Sequence, residues 1–391
     1  MAPKQWNEIE QPSGPPLVKP VDAAAVDRHR RATYESYERF LRGRLARLNR
    51  DRAKEWHRDY SDPRAYRRSV RAMRSRLKSM LGFWIEPKDR TPIRIKRPES
   101  LLKTPEFIAR RFQLEVLPGL ETYAVELVPR IAGTRPGLLI QHGYGVTPEM
   151  ACGLTAGANI GDYSYRSLGL RAVRRGYHVV AVYHPSGFGS SEEVIGSIPG
   201  FEAYGRAYGK NRLHRMATMA GGTLFGLDMM ASSRGIDYLV GWPDVAPDRI
   251  GMYGKSQGGQ SALFLTAMDE RIRASISCAY FNSRFQKLIG PHRATCYLDS
   301  PEEDKFFIDV IRWFSDSDIA SLIAPRSFAV EAGQQDTSVD FEKSEAEFAR
   351  AKIHYKGLGI PERIEFIAHR EGHISATRRA FEFLDEALGN K

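Results

Sequence analysis

At 391 residues and 42% apolar side chains, the chain can bury a large core, and one α/β domain with an appendage is the natural expectation. Three cysteines, Cys152, Cys278 and Cys296, are too few and too scattered for a disulfide framework, and Met1 to Pro20 is polar and Pro-rich rather than signal-like. No apolar run approaches the roughly 18 residues of a membrane span, so a soluble, cytoplasmic protein with no membrane partner is expected.

The net charge of +11 is local: residues 27–80 hold 18 Arg and Lys against 7 Asp and Glu, which equals the whole surplus. That concentration raises the question of a nucleic-acid arm. However, acidic residues interrupt it, no helix-turn-helix, finger or RNA-binding signature accompanies it, and nucleic acid is not expected as a partner.

In chain order, residues 1–22 read as an extended arm broken by Pro3, Pro12, Pro15, Pro16 and Pro20. Residues 23–105 read as a basic helical extension. Tyr37, Leu41, Leu45 and Leu48 form one apolar stripe, and a second helix from Pro63 to Leu81 carries Val70, Met73, Leu77 and Met80. Both stripes are expected to pack on the main domain or to build a homo-oligomer contact.

Residues 106–391 read as the catalytic domain. Alternation over Phe112–Val128 around Pro118-Gly119 predicts a β-hairpin. Strands then alternate with helices: Gly137–Ile140, a helix over Arg166–Arg175, His178–Val182, a helix over Thr223–Val240, and a strand at Ile250–Tyr253. Strands at Ala274–Tyr280, Ser327–Glu331 and Ile364–His369 follow, with helices at Phe341–Tyr355 and Ala376–Leu388. This order predicts a mostly parallel sheet covered by helices on both faces, with the hairpin as an antiparallel edge. Insertions at about 192–219 and 283–317 should stand over the carboxyl ends of the strands as lid or wall. The aromatic side chains of the second suit either an apolar acyl pocket or ordinary lid packing.

The chemistry centres on Gly254-Lys255-Ser256-Gln257-Gly258, a G-x-S-x-G elbow between a strand and a helix, which points to Ser256 as nucleophile. A serine hydroxyl needs a base, and the base needs a group that fixes its orientation. Asp336, after the strand ending near Glu331, and His373, after the strand ending near His369, supply these in the chain order serine, acid, histidine. Asp340 and Glu331 are competing acids, and His369 is a competing base; Asp340 also suits a helix N-cap. For the oxyanion, the backbone N–H groups of Gln257 and Tyr144 are the candidate donors, the latter in the loop Gln141-His142-Gly143-Tyr144-Gly145. His142, Phe188 and Trp313 are candidate substrate contacts. Neither a P-loop spacing nor an H-E-x-x-H or Cys/His metal set occurs, so no metal or cofactor is expected.

These stretches resemble the α/β-hydrolases, and more narrowly the branch of acetyl xylan esterases, cephalosporin C deacetylases and dienelactone hydrolases. His142-Gly143-Tyr144 is similar to that branch's HGY loop, Gly254-Lys255-Ser256-Gln257-Gly258-Gly259 to its GxSQGG elbow, and Gly372-His373 to its base. Asp318 to Arg326 is similar to its lead into the acid-bearing strand. The resemblance implies an α/β-hydrolase fold over roughly Phe112–Leu388 and hydrolysis of a small-molecule ester, such as that of an acetylated sugar, through an acyl-enzyme. Where the deacetylases carry RGxG, this chain has Pro185-Ser186-Gly187-Phe188-Gly189-Ser190, which departs from an acetyl-sugar site. A peptidase of the prolyl-oligopeptidase type shares the elbow, but no propeller-sized segment precedes it. A non-catalytic module binding through the basic helices is the remaining alternative.

Overall fold

The computed structural model describes residue 14 and residues 22–155, 160–185, 207–291, 295–300 and 302–390. Two compact units divide between Leu48 and Asn49. Helix α1 (Ala23–Asp51) buries none of its residues, and Tyr34, Tyr37, Phe40 and Leu41 are more than half exposed. Helicity here rests on local pairs such as Glu38–Arg42, each worth a few tenths of a kcal/mol.

In the second unit the apolar stripe of residues 63–81 is buried, but the helix is broken. α2 (Pro63–Ser69) and α3 (Arg71–Leu81) meet at Val70, and Tyr66, Val70, Met73, Leu77 and Leu81 all point inward. Asp62 starts α2 by accepting from the amides of Arg64 and Ala65.

Among the described residues, nine strands form one sheet: β1 (Ile95–Lys103), β2 (Phe107–Leu117), β3 (Leu120–Pro129), β4 (Arg135–Gln141), β5 (His178–Val182), β6 (Val245–Lys255), β7 (Ile272–Cys278), β8 (Ser327–Gly333) and β9 (Ile364–His369). Their spatial order is β1-β2-β3-β5-β4-β6-β7-β8-β9. β1 to β3 are antiparallel, β3 meets β5 antiparallel, and every pair from β5 to β9 is parallel. β1 lies inside the segment expected to be helical. Its side chains are mostly exposed, so no buried-face alternation marks it in the sequence. β4 and β5 are buried at every position, as strands covered on both faces must be.

The helices that position the site are α4 (Leu168–Arg174), α5 (Ala207–Met219), α6 (Leu224–Val240), α7 (Gln257–Met268), α8 (Asp316–Ile323), α9 (Phe341–Gly357) and α10 (Arg378–Leu388). Thr223 caps α6 through the Gly226 amide, Asp340 caps α9 through the Lys343 amide, and Thr377 caps α10 through the Ala380 amide. α7 is buried along its whole length, its polar Gln257, Gln260, Ser261 and Thr266 included, so no exposed face makes it amphipathic.

Candidate active site

Ser256 sits at the β6–α7 junction with φ 60° and ψ −122°, a backbone conformation that residues with a Cβ rarely adopt. Two glycines make this turn possible. A Cβ on Gly254 would lie 1.8 Å from the Gly258 carbonyl oxygen, and one on Gly258 would lie 2.0 Å from that of Gln141. The turn is held from β7, whose Cys278 carbonyl accepts the Ser256 N–H at 2.9 Å. A non-helical serine at the carboxyl end of a buried strand presents its hydroxyl above the sheet, at the start of α7.

Two strands away, the loop after β8 carries Asp336. One carboxylate oxygen accepts from the amides of Ser338 (2.8 Å) and Val339 (3.1 Å), while the other contacts His373 Nδ1 at 2.7 Å. The carboxylate side chain is 1% exposed and the imidazole 28%, so the acid is sealed behind a ring that reaches solvent. The β8 and β9 loops are laced together by Gln334 N–H to His369 O (2.8 Å) and Gln335 N–H to Glu371 O (3.1 Å).

The chain after His373 is fixed one residue at a time. Cys278 Sγ donates to Ile374 O at 3.4 Å, Ser375 N–H to Ser164 O at 3.0 Å, Ala376 N–H to the Tyr253 hydroxyl at 2.8 Å, and Thr377 N–H to Glu331 at 2.9 Å. Cys278 therefore bonds Ser256 with its carbonyl and the residue after His373 with its thiol. Among the described residues, no hydrogen bond joins Ser256 Oγ to the His373 ring. Such contacts commonly tighten only when substrate is bound.

The loop after β4 approaches Ser256 closely: a Cβ on Gly143 would lie 2.9 Å from Ser256 Cβ and 2.9 Å from the Tyr165 hydroxyl. The Gly143 N–H donates to that hydroxyl at 2.5 Å. Tyr144 follows, with its side chain 39% exposed, and the first-turn amides of α7, Gln257 foremost, have no acceptor inside the helix. Tyr165 gave no signal in the sequence, because it lies on a six-residue helix (Ile160–Tyr165) with no periodicity to read. Tyr165→Phe leaves a buried amide unpaired and is expected to cost about 1–3 kcal/mol in urea unfolding.

His142 is committed inside the protein. Its Nε2 accepts the His184 N–H at 3.0 Å, and its Nδ1 lies 2.9 Å from the Gly143 carbonyl, so Nδ1 carries the proton and neither nitrogen is left for a ligand. Burial lowers its pKa to about 4. His354 is likewise lowered to about 4, chiefly by burial. Both pKa values lie below the ordinary value near 6.5, so between about pH 6.5 and 4 the unfolded chain binds more protons than the folded one. Stability is expected to fall as pH drops through that window, and His354→Gln should flatten part of the fall in acid-titrated thermal melts.

The other candidates fall elsewhere. Asp340 caps α9, and Glu331 bonds the Tyr253 hydroxyl and the Thr377 amide beneath the site. His369 ends β9, with neither ring nitrogen hydrogen-bonded among the described residues. The Trp313 ring lies between Arg76 (3.6 Å) and Arg312 (4.5 Å), with Nε1 donating to Asp309 at 2.9 Å. Phe188 and residues 192–206 of the first insertion lie outside the described residues. In the second insertion, Phe307 and Phe314 are buried, Phe307 stacking on Phe225 at 5.6 Å, which is packing rather than an open acyl pocket.

No protein-family profile matches the chain. The curated protein "Putative hydrolase YtaP" of Bacillus subtilis (strain 168) is 26% identical over 265 residues, spanning 66% of this chain and 80% of that one. Among solved structures, the "putative acetyl xylan esterase" of Bacteroides fragilis NCTC 9343 superposes with a TM-score of 0.61 at 17% identity, over 80% of this chain and 77% of the other. A glucuronoyl esterase from Solibacter usitatus gives 0.61 at 12% identity, over 85% and 94%. The carbohydrate esterase family 15 enzyme of Caldicellulosiruptor kristjansonii gives 0.58 at 18%, over 85% and 87%.

The chain has the α/β-hydrolase fold. In an α/β-hydrolase, ligands bind outside the carboxyl ends of the parallel strands, where the loops bearing Ser256, Asp336 and His373 all emerge. Among the described residues, no helix is long and apolar enough to cross a membrane, and no cluster of His, Cys, Asp and Glu has the makings of a metal site.

Proposed function

We propose that this protein is a serine hydrolase that cleaves a carboxylic ester through an acyl-enzyme. The observation that carries the reading is the 2.7 Å contact between His373 Nδ1 and the buried Asp336 carboxylate, on loops that leave the same edge of the sheet as the strained turn of Ser256. The esterase names of the structural neighbours and the hydrolase name of the Bacillus relative agree with it.

Asp336 holds the proton of His373 on Nδ1, which leaves Nε2 free to act as base. Ser256 Oγ attacks the ester carbonyl while Nε2 takes its proton. The negative charge that develops on the carbonyl oxygen is met by the backbone N–H groups of Gln257 and Tyr144. His373 then returns the proton to the departing alcohol, and water repeats the sequence on the acyl group.

Intact-mass analysis after exposure to a fluorophosphonate tests the assignment. One adduct is expected on the wild-type protein and none on Ser256→Ala. An adduct on both proteins removes Ser256 from the role.

A further inference from the structure

An open groove of about 1070 Å³ lies at the amino ends of β6 and β7. Asp248 on its wall and Ser256 are eight positions apart along the chain of β6, roughly 26 Å at 3.3 Å per residue, so the groove is remote from the candidate active site.

One wall is a stripe of arginines. Arg64, Arg67, Arg68 and Arg71 recur at three- and four-residue steps along α2 and into α3, and all four line the groove. Val70, between the two helices, keeps a right-handed helical backbone (φ −91°, ψ −1°), and Tyr66, Val70 and Met73 are buried on the inner side. Arg273 joins the lining from β7.

The other charges of the groove are mostly matched. Arg74 pairs with Glu270 at 3.3 Å, Lys78 with Glu86 at 2.7 Å and Arg271 with Asp269 at 2.7 Å, while Lys88 lies 3.8 Å from Asp89. Asp59 and Asp62 lie within electrostatic reach of Arg68, but their carboxylates accept the amides of Ser61, Arg64 and Ala65. Among the described residues, the side chains of the four stripe arginines and of Arg273 have no hydrogen bond or ion pair, and Asp248 is the one lining carboxylate without a partner. Like charges three and four residues apart on a helix repel, so the stripe destabilises its own helices unless a counter-charge comes from outside.

The groove restricts what that counter-charge can be. Arg64 to Arg71 spans about 10 Å at 1.5 Å per residue, so four guanidinium groups follow one another at about 3.5 Å, a density that chains of phosphate groups reach. Guanidinium forks also pair with phosphate oxygens two at a time. Among the described residues, no aromatic side chain lines the groove, so a nucleic-acid base has nothing to stack on. The lining extends to Arg74, only 6% exposed, a depth that the flat surface of a bilayer does not follow.

We propose that this groove binds a free linear polyphosphate, held by Arg64, Arg67, Arg68 and Arg71 along one side and by Arg273 from β7. The site is separate from the hydrolase reading and does not depend on it.

Calorimetric titration of the full chain with sodium tripolyphosphate, at about 50 mM and about 200 mM salt, tests it. Tripolyphosphate should bind at least about ten-fold tighter than orthophosphate, because a single phosphate cannot reach guanidinium groups about 10 Å apart, and its binding should weaken as salt rises. Arg67→Glu combined with Arg71→Glu should weaken it at least about ten-fold with an unchanged thermal melt, and Arg273→Ser should weaken it by a smaller factor. Arg44→Glu combined with Arg47→Glu makes the same change in net charge on α1 and should leave the affinity as it was. No tripolyphosphate binding at the lower salt, or an equal loss in both double variants, overturns the site. Tighter binding per phosphate to an oligothymidylate, or retention on phosphatidylserine vesicles that tripolyphosphate does not displace, overturns the free polyphosphate in favour of nucleic acid or a lipid surface.

Discussion

Ser256→Ala is expected to lower kcat for ester hydrolysis by about six orders of magnitude, and Ser256→Ala combined with His373→Ala by no more than the single change. In the proposed mechanism the nucleophile and its base act as one unit, so removing either abolishes the same step, and residual turnover comes from the oxyanion donors and binding alone. Asp336→Asn should cost about four orders, because an amide at the 2.7 Å contact favours the wrong imidazole tautomer while keeping the geometry. Steady-state kinetics on an activated acetate ester, with active-site titration, measures all three. Effects that simply multiply in the double variant would show that Ser256 and His373 do not share a step.

Asp316→Ala is expected to destabilise the fold by about 3–5 kcal/mol in urea unfolding. Arg284 and Asp316 form an ion pair with side chains only 1% and 0% exposed, and the same carboxylate accepts the Asn282 N–H at 3.1 Å. Deleting the acid strands a guanidinium in the interior and leaves an amide unpaired. Arg284→Met added to Asp316→Ala should recover much of the loss, because the stranded charge is the largest part of it. A loss below about 1 kcal/mol for the single change would mean that the pair is hydrated in solution.

The two changes probe different depths of the same architecture. In the proposed mechanism Ser256 and His373 act on substrate at the rim. Arg284 and Asp316 tie the chain leaving β7 to the start of α8. Beneath the rim, the Tyr253 hydroxyl and the Glu331 carboxylate receive the amides of Ala376 and Thr377, so the path from His373 into α10 is set by buried polar atoms rather than by its own sequence.

The sequence by itself determined the elements whose cause is local. The apolar runs of β4 and β5, the glycines around Ser256 and the capping residues Thr223 and Asp340 each act within a few positions, and each could be read from spacing alone. β1 could not be read, because an edge strand with mostly exposed side chains carries no buried-face pattern. The stripe of α1 shows the complementary limit: periodicity reports a face able to pack, not what covers it. Only the tertiary structure decided the Asp336–His373 contact across 37 positions and the engagement of both His142 nitrogens. These depend on which strand ends the sheet order makes neighbours, and strand order is settled by the burial of the whole core rather than by any one segment.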